Sequence, residues 1–99
     1  MRLCWVDTLG SNEEIDLLDA IRKERKRQDA LYGSLDDREP SLSEWAAILS
    51  AEVGEIWEGI IKDHSQNDVA REMLHVAAVA VAALQQHGLP VEEDDGFTI

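Results

Sequence analysis

Three serine-led helix starts divide this chain and leave room for little besides helices. Ser11 is followed three residues later by Glu14, Ser41 by Glu44 and, more weakly, Ser65 by Asp68. At that spacing a hydroxyl takes a backbone N–H of the first turn and the acid returns a bond to the cap. Pro40 stands just before the second start. The stops are glycines: Gly33 after the first helix, Gly88 and then Pro90 after the third, with the second ending near Asp63 or His64. The spacing predicts helices over 12–32, 42–62 and 66–87, each about 30 Å long at about 1.5 Å per residue. No alternating apolar and polar stretch of useful length suggests a strand. The expected fold is all-α, an antiparallel bundle of three long helices spanning 11–88. Residues 1–10 are expected to form an N-terminal arm that packs through Leu3, Trp5 and Val6, and 89–99 an acidic tail, expected to be mobile unless Phe97 and Ile99 dock on a partner.

A chain of 99 residues buries only about 60–65% of the surface its unfolded form exposes, so its own core is marginal. The alanine-rich stretch Ala77–Ala83 allows close helix approach and leaves apolar area that one copy does not cover. A homo-oligomer is expected, a dimer or a dimer of dimers. With 9 Lys and Arg against 21 Asp and Glu, the net charge is -12, which argues against duplex nucleic acid and anionic membrane as partners. An acidic protein binds phosphates only with metal ions between. Cys4 is the sole cysteine and the start lacks a long apolar signal segment, so the expected compartment is the cytoplasm. The apolar run Val76–Leu84 falls far short of the ~20 residues of a membrane span.

Chemistry enters where polar residues interrupt apolar stripes. Leu17, Ile21, Glu24, Gln28 and Leu31 share one face of the first helix; Leu42, Trp45, Leu49, Glu52 and Ile56 share one of the second, with Glu55 a turn on. Asp68, Glu72 and His75 follow at the same period in the third, leading into Val76 and Val79. Each helix thus aims acid inward. Inward carboxylates cost several kcal/mol apiece unless protonated, paired or metal-bound, an order-of-magnitude figure. Glu52 and Glu55 form an ExxE pair whose hard oxygens suit Mg²⁺, or Mn²⁺ in its place; Glu72, His75 and Asp68 are the further candidate ligands. An ExxE pair alone is common on solvated helices, and Glu58 reads as solvent-facing; the second acidic set on a neighbouring helix adds the specificity. Glu24 either pairs with a base of the crowded Arg22–Arg27 segment or joins Arg25 and Gln28 at a substrate. Arg27 is a further phosphate candidate, although basic runs on helices are commonly solvated. Trp45 reads as core by its stripe, and Trp57 as a weaker stacking candidate. His64 and His87 lie near helix ends, where the dipole explains them.

The segments ERKRQ (Glu24–Gln28) with Gly33, EWAAILSAEVGEIWEGI (Glu44–Ile60) and REMLHVAAVAVAALQ (Arg71–Gln85) together resemble the MazG-like nucleoside triphosphate pyrophosphohydrolases, in their short single-domain form, over roughly Ile15–Gln86. The resemblance implies an all-α oligomer that uses Mg²⁺ to hydrolyse an NTP or dNTP to monophosphate and pyrophosphate. It implies that Glu52 and Glu55 are ligands and serve the attacking water, and that Glu72 is the first acid of a downstream ExxD. His75 stands where that motif has aspartate, and Ala51 where a further acid is frequent. Imidazole is a poor Mg²⁺ ligand, so His75 contacts phosphate or the metal's surroundings, or Asp68 supplies the missing oxygen.

Two rivals differ in kind. Glu72 and His75 also make the ExxH of di-iron carboxylate bundles, in which ERKRQ and ExxE have no part. A non-catalytic acidic interaction module would show neither bound metal nor hydrolysis.

Overall fold

A computed structural model describes the backbone of residues 11–91 and the side chains of 16–91. Within them the chain is all-helical, with α1 at Ser11–Tyr32, α2 at Leu42–Ile61 and α3 at Gln66–His87, and no strand among the described residues. The expected N-terminal arm, the docking of Phe97 and Ile99 and the Ser11 side-chain cap fall outside the described residues.

The caps explain the boundaries. Glu44 donates its backbone N–H to Ser41 Oγ (3.1 Å) and accepts from the Ser41 N–H (3.0 Å), closing a reciprocal capping box on α2. Ser41 therefore holds the Glu44 carboxyl below its usual pKa through its backbone and side-chain bonds. At α3 Ser65 Oγ accepts from the Asp68 N–H at 3.1 Å. Gly33 and Gly88 both take φ of 90°, a left-handed value open to glycine that turns the chain out of α1 and α3. Asp63, at φ 57°, turns the short α2–α3 link, using the tolerance of Asp for that region.

The short link makes α2 and α3 antiparallel neighbours, with Trp45 beside Gln86 at one end and Gly59 beside Val69 at the other. Helix α3 packs on both other helices, whereas α1 and α2 make no close backbone approach to each other. The core is small: Trp45, Val79 and Ala82, flanked by Leu35, Ile48, Leu49 and Ala83. Ala78 is fully buried where small side chains let the helices close. Trp45 fills the core as its stripe suggests, its indole N–H donating to Gln86 Oε1 at 2.8 Å. The α1 stripe is only partly covered: Glu24 and Gln28 are buried, while Leu17 and Leu31 are about half exposed, at 45% and 59%. Arg25 and Gln28 reach α3 through Gln85 and the His75 carbonyl, so the turns that hold Glu24, Arg25 and Gln28 are the covered part of α1. No described helix is long and apolar enough to cross a membrane.

Candidate metal centre

Because α1 and α2 flank α3 without meeting, a cleft of about 440 Å³ opens between them with α3 as its floor. One end is acidic, formed by Glu52, Glu55, Glu72 and His75; the other is lined by Tyr32, Arg38 and Trp45. Arg27 and Gln28 form the α1 wall, and Ile48 and Val79 supply apolar surface.

Antiparallel packing brings Glu52 of α2 opposite Glu72 and His75, one helical turn apart on α3. One donor atom from each of the three lies within 4.8 Å of the others. His75 Nδ1 is 3.2 Å from Glu72 Oε2 and 4.0 Å from Glu52 Oε2. All three residues are half-buried. Glu52 Oε2 is closed off from solvent and has no hydrogen-bond partner. An unsatisfied buried acceptor costs about 1–3 kcal/mol, more when charged. A cation between these oxygens removes that cost, and the donor set, two carboxylates and an imidazole, is one that divalent metals accept. The residues present therefore fit a metal ion.

Glu55 stands at the rim, exposed to solvent. Its pKa is raised, first by the hydrogen bond it shares with Glu72, then by burial and by the charges of Glu52 and Glu72, with His75 opposing. A divalent cation among these groups would relieve the charge crowding that raises Glu55.

The other sequence candidates divide. Glu24 is buried and is clamped by Arg27, which donates Nε to Oε1 at 2.8 Å and Nη2 to Oε2 at 2.6 Å. Gln28 Nε2 donates to Glu24 Oε2 (3.2 Å) and to the His75 carbonyl oxygen (3.3 Å), tying α1 to α3. The Arg27 bond, working against burial and helped by His75 and Gln28, lowers the Glu24 pKa. Of the two fates the sequence left open, the base pairing is thus realised, with Arg27. Arg25 is buried, its guanidinium spent on Gln85 (3.2 Å), Gln28 (3.3 Å) and Asp29 (2.9 Å), and it lines a separate hollow with Asp29 and Gln85 instead of the cleft. Asp68 is exposed, 3.7 Å from Arg71, and faces a separate shallow hollow with Glu55, Glu58 and His64. It is not among the three converging donors. Glu58 points outward to Lys62 at 2.6 Å. Trp57 is 61% exposed, outside the cleft. His87 contacts the Pro40 carbonyl at 3.0 Å.

Sequence reasoning missed Tyr32 and Arg38. The Arg38 guanidinium lies over the Trp45 ring, 5.7 Å from its centroid, and its carbonyl accepts from Gln86 Nε2 at 2.8 Å. Arg38 belongs to the α1–α2 connection, where no periodicity reports on direction, so only the three-dimensional fold reveals it. Compared with protein-family models, curated proteins and solved structures, the chain gives no match.

Proposed function

We propose that this chain is a metal-dependent nucleoside triphosphate pyrophosphohydrolase, cleaving an NTP or dNTP to monophosphate and pyrophosphate. The observation that carries the reading is the convergence of Glu52, Glu72 and His75 on one point of a cleft, with a buried Glu52 oxygen lacking any partner. The resemblance of the EVGE and REMLH segments to MazG-like enzymes supplies the reaction; the geometry alone specifies only a divalent centre beside a mixed polar and aromatic cleft.

Glu52, Glu72 and His75 would hold the ion, Mg²⁺ or Mn²⁺, with Glu55 at the open side. When bound, such an ion neutralises charge on phosphate oxygens and lowers the pKa of water. The chain's own groups supply the rest. Glu55, the most exposed of the four, orients the attacking water and takes its proton. Arg27 stands at the mouth with its side chain 48% exposed, and Arg38 faces the same space, so both meet phosphate oxygens without competing for the metal. Tyr32, which is exposed at the cleft, offers aromatic surface for a base. Attack at the α-phosphorus is what the MazG-like resemblance implies. The test is pyrophosphate release from a panel of NTPs and dNTPs with Mg²⁺ or Mn²⁺.

Pairing with a second copy belongs to the same reading. Val53, Trp57, Ile60 and Ile61 on α2 and Met73 on α3 are exposed, more apolar surface than a lone small domain usually leaves to water.

One observation favours a second reading. Glu72 and His75 form an ExxH whose imidazole turns toward Glu52, which is half of a di-iron carboxylate set. Tight iron binding with oxygen consumption, and no pyrophosphate release, selects it.

A further inference from the structure

Arg27 is held along one edge of its guanidinium and open at the other. Its Nε and Nη2 donate side by side to Glu24 Oε1 and Oε2 at 2.8 and 2.6 Å, and Nη2 also lies 3.5 Å from His75 Nε2. The guanidinium is a rigid planar fork of N–H donors, so a clamp along the Nε edge fixes its plane and leaves the Nη1 end to a ligand. Nη1 has no partner among the described contacts. Arg27 lines the cleft beside Glu52, Glu55, Glu72 and His75.

Most ion pairs one turn apart on a helix surface contribute little. This one differs in where its acid sits. Glu24 is 7% exposed and the Arg27 side chain 48%, so the acid is the anchored partner and the base the one that reaches outward. Gln28 Nε2 donates to Glu24 Oε2 at 3.2 Å and to the His75 carbonyl at 3.3 Å, and Gln28 Oε1 accepts from the buried Arg25 at 3.3 Å. That chain of bonds ties the carboxylate to α3. Glu24 itself does not line the cleft. Near a polyanion its charge is unfavourable, and a fixed orientation of Arg27 is what offsets it.

We infer that Glu24 is a positioning residue for Arg27, fixing the guanidinium so that its Nη1 end meets phosphate oxygens beside the acidic end of the cleft. The inference rests on the pyrophosphohydrolase reading above and goes beyond it, since the pair acts as an oriented donor and not as a loose positive charge. The two roles predict opposite signs. Removing the Glu24 charge strengthens polyphosphate binding if charge alone counts, and weakens it if orientation counts.

The experiment reads binding and needs no turnover. Full-length wild type, E24Q, R27Q, R27K and the E24Q/R27Q double variant are titrated calorimetrically with Mn²⁺ alone and with the Mn²⁺ complex of inorganic tripolyphosphate. E24Q is expected to bind the complex about 10-fold more weakly, the scale of one hydrogen bond to a charged group, while its affinity for Mn²⁺ alone changes much less. R27Q is expected to match E24Q, and the double variant to be no weaker than R27Q. R27K keeps the charge but loses the fork, and is expected to bind the complex about as weakly as R27Q. Folded E24Q that binds the complex within about twofold of wild type or more tightly, a loss that Mn²⁺ alone shows in equal measure, or a loss that adds to that of R27Q overturns the inference and leaves the pyrophosphohydrolase reading standing. R27K closer to wild type than to R27Q overturns it even if E24Q fails to fold. Wild type that takes up Mn²⁺ but not the complex overturns the phosphate site as a whole, and wild type that takes up neither overturns the metal centre with it.

Discussion

Glu52 of α2 and His75 of α3 meet across the helix pair with Oε2 4.0 Å from Nδ1, and that oxygen is buried without a partner. The separation is too long for a hydrogen bond and is the kind of gap a shared cation fills.

Removing charge from the gap without changing its volume separates ligands from bystanders. Glu52→Gln and Glu72→Gln are expected to lower activity by about 10²–10³-fold, as loss of groups acting on the transition state does, and to weaken Mn²⁺ binding in parallel. Apo stability of both is expected to be unchanged or raised, since each relieves carboxylate crowding. Glu58→Gln, whose side chain is 55% exposed beside Lys62, is expected to stay within twofold of wild type in steady-state assays. Equal, mild effects from all three would falsify the acidic centre.

His75→Asp exchanges the imidazole for the oxygen ligand that the MazG-like motif carries. Selectivity is expected to shift from Mn²⁺ toward Mg²⁺, because hard oxygen ligands suit Mg²⁺. The metal-free protein is expected to lose stability, since the new carboxylate joins Glu24, Glu52 and Glu72, all now facing His75. Calorimetric titration with each ion and thermal denaturation without metal check both parts.

Acid is expected to dissolve the α1–α3 contact in the metal-free protein. Arg27, chiefly through its hydrogen bonds, lowers the Glu24 pKa in the folded state relative to the unfolded chain. A lowered folded pKa gives stability that is fully present above the unfolded value and is lost as pH falls through the folded one. Glu55 has the opposite sign: its raised folded pKa favours the folded state as it takes up a proton and opposes it at neutral pH. Arg27→Gln is expected to flatten the acid limb set by Glu24 while leaving the Glu55 contribution. Denaturant midpoints from neutral pH down into the acid range, with chelator present, show whether the limb flattens.

Gly54 tests whether α2 keeps a glycine for stability or for access. A Cβ added there meets nothing within 4 Å, and the residue lies inside α2 and is exposed. Gly54→Ala is expected to raise stability by about 0.5–1 kcal/mol through helix propensity. Urea denaturation measures the gain, with an m-value expected to stay unchanged because the surface exposed on unfolding is the same.

The helices were legible because their ends are written in local chemistry. Predicted spans of 12–32, 42–62 and 66–87 compare with Ser11–Tyr32, Leu42–Ile61 and Gln66–His87, and the capping box at Ser41 and Glu44 forms as spaced. Convergence of Glu52 with Glu72 and His75 was legible in kind, since periodicity places each on an inward face. What periodicity does not carry is the distance between helices. That α1 and α2 stand apart decides that Tyr32 and Arg38 reach the cleft while Arg25 turns to Gln85 and Asp29. Those outcomes depend on the α1–α2 connection and on the crossing of α1 over α3, neither of which leaves a repeat in the sequence.

The most direct measurement is product analysis by ion-exchange chromatography after incubating the purified chain with NTPs and dNTPs and Mg²⁺ or Mn²⁺, with and without chelator. The expected result is equimolar monophosphate and pyrophosphate from at least one nucleotide, abolished by chelator and by Glu52→Gln. Orthophosphate as the product, release that persists in chelator, or no cleavage of any nucleotide by protein shown to bind Mn²⁺ would contradict the pyrophosphohydrolase reading.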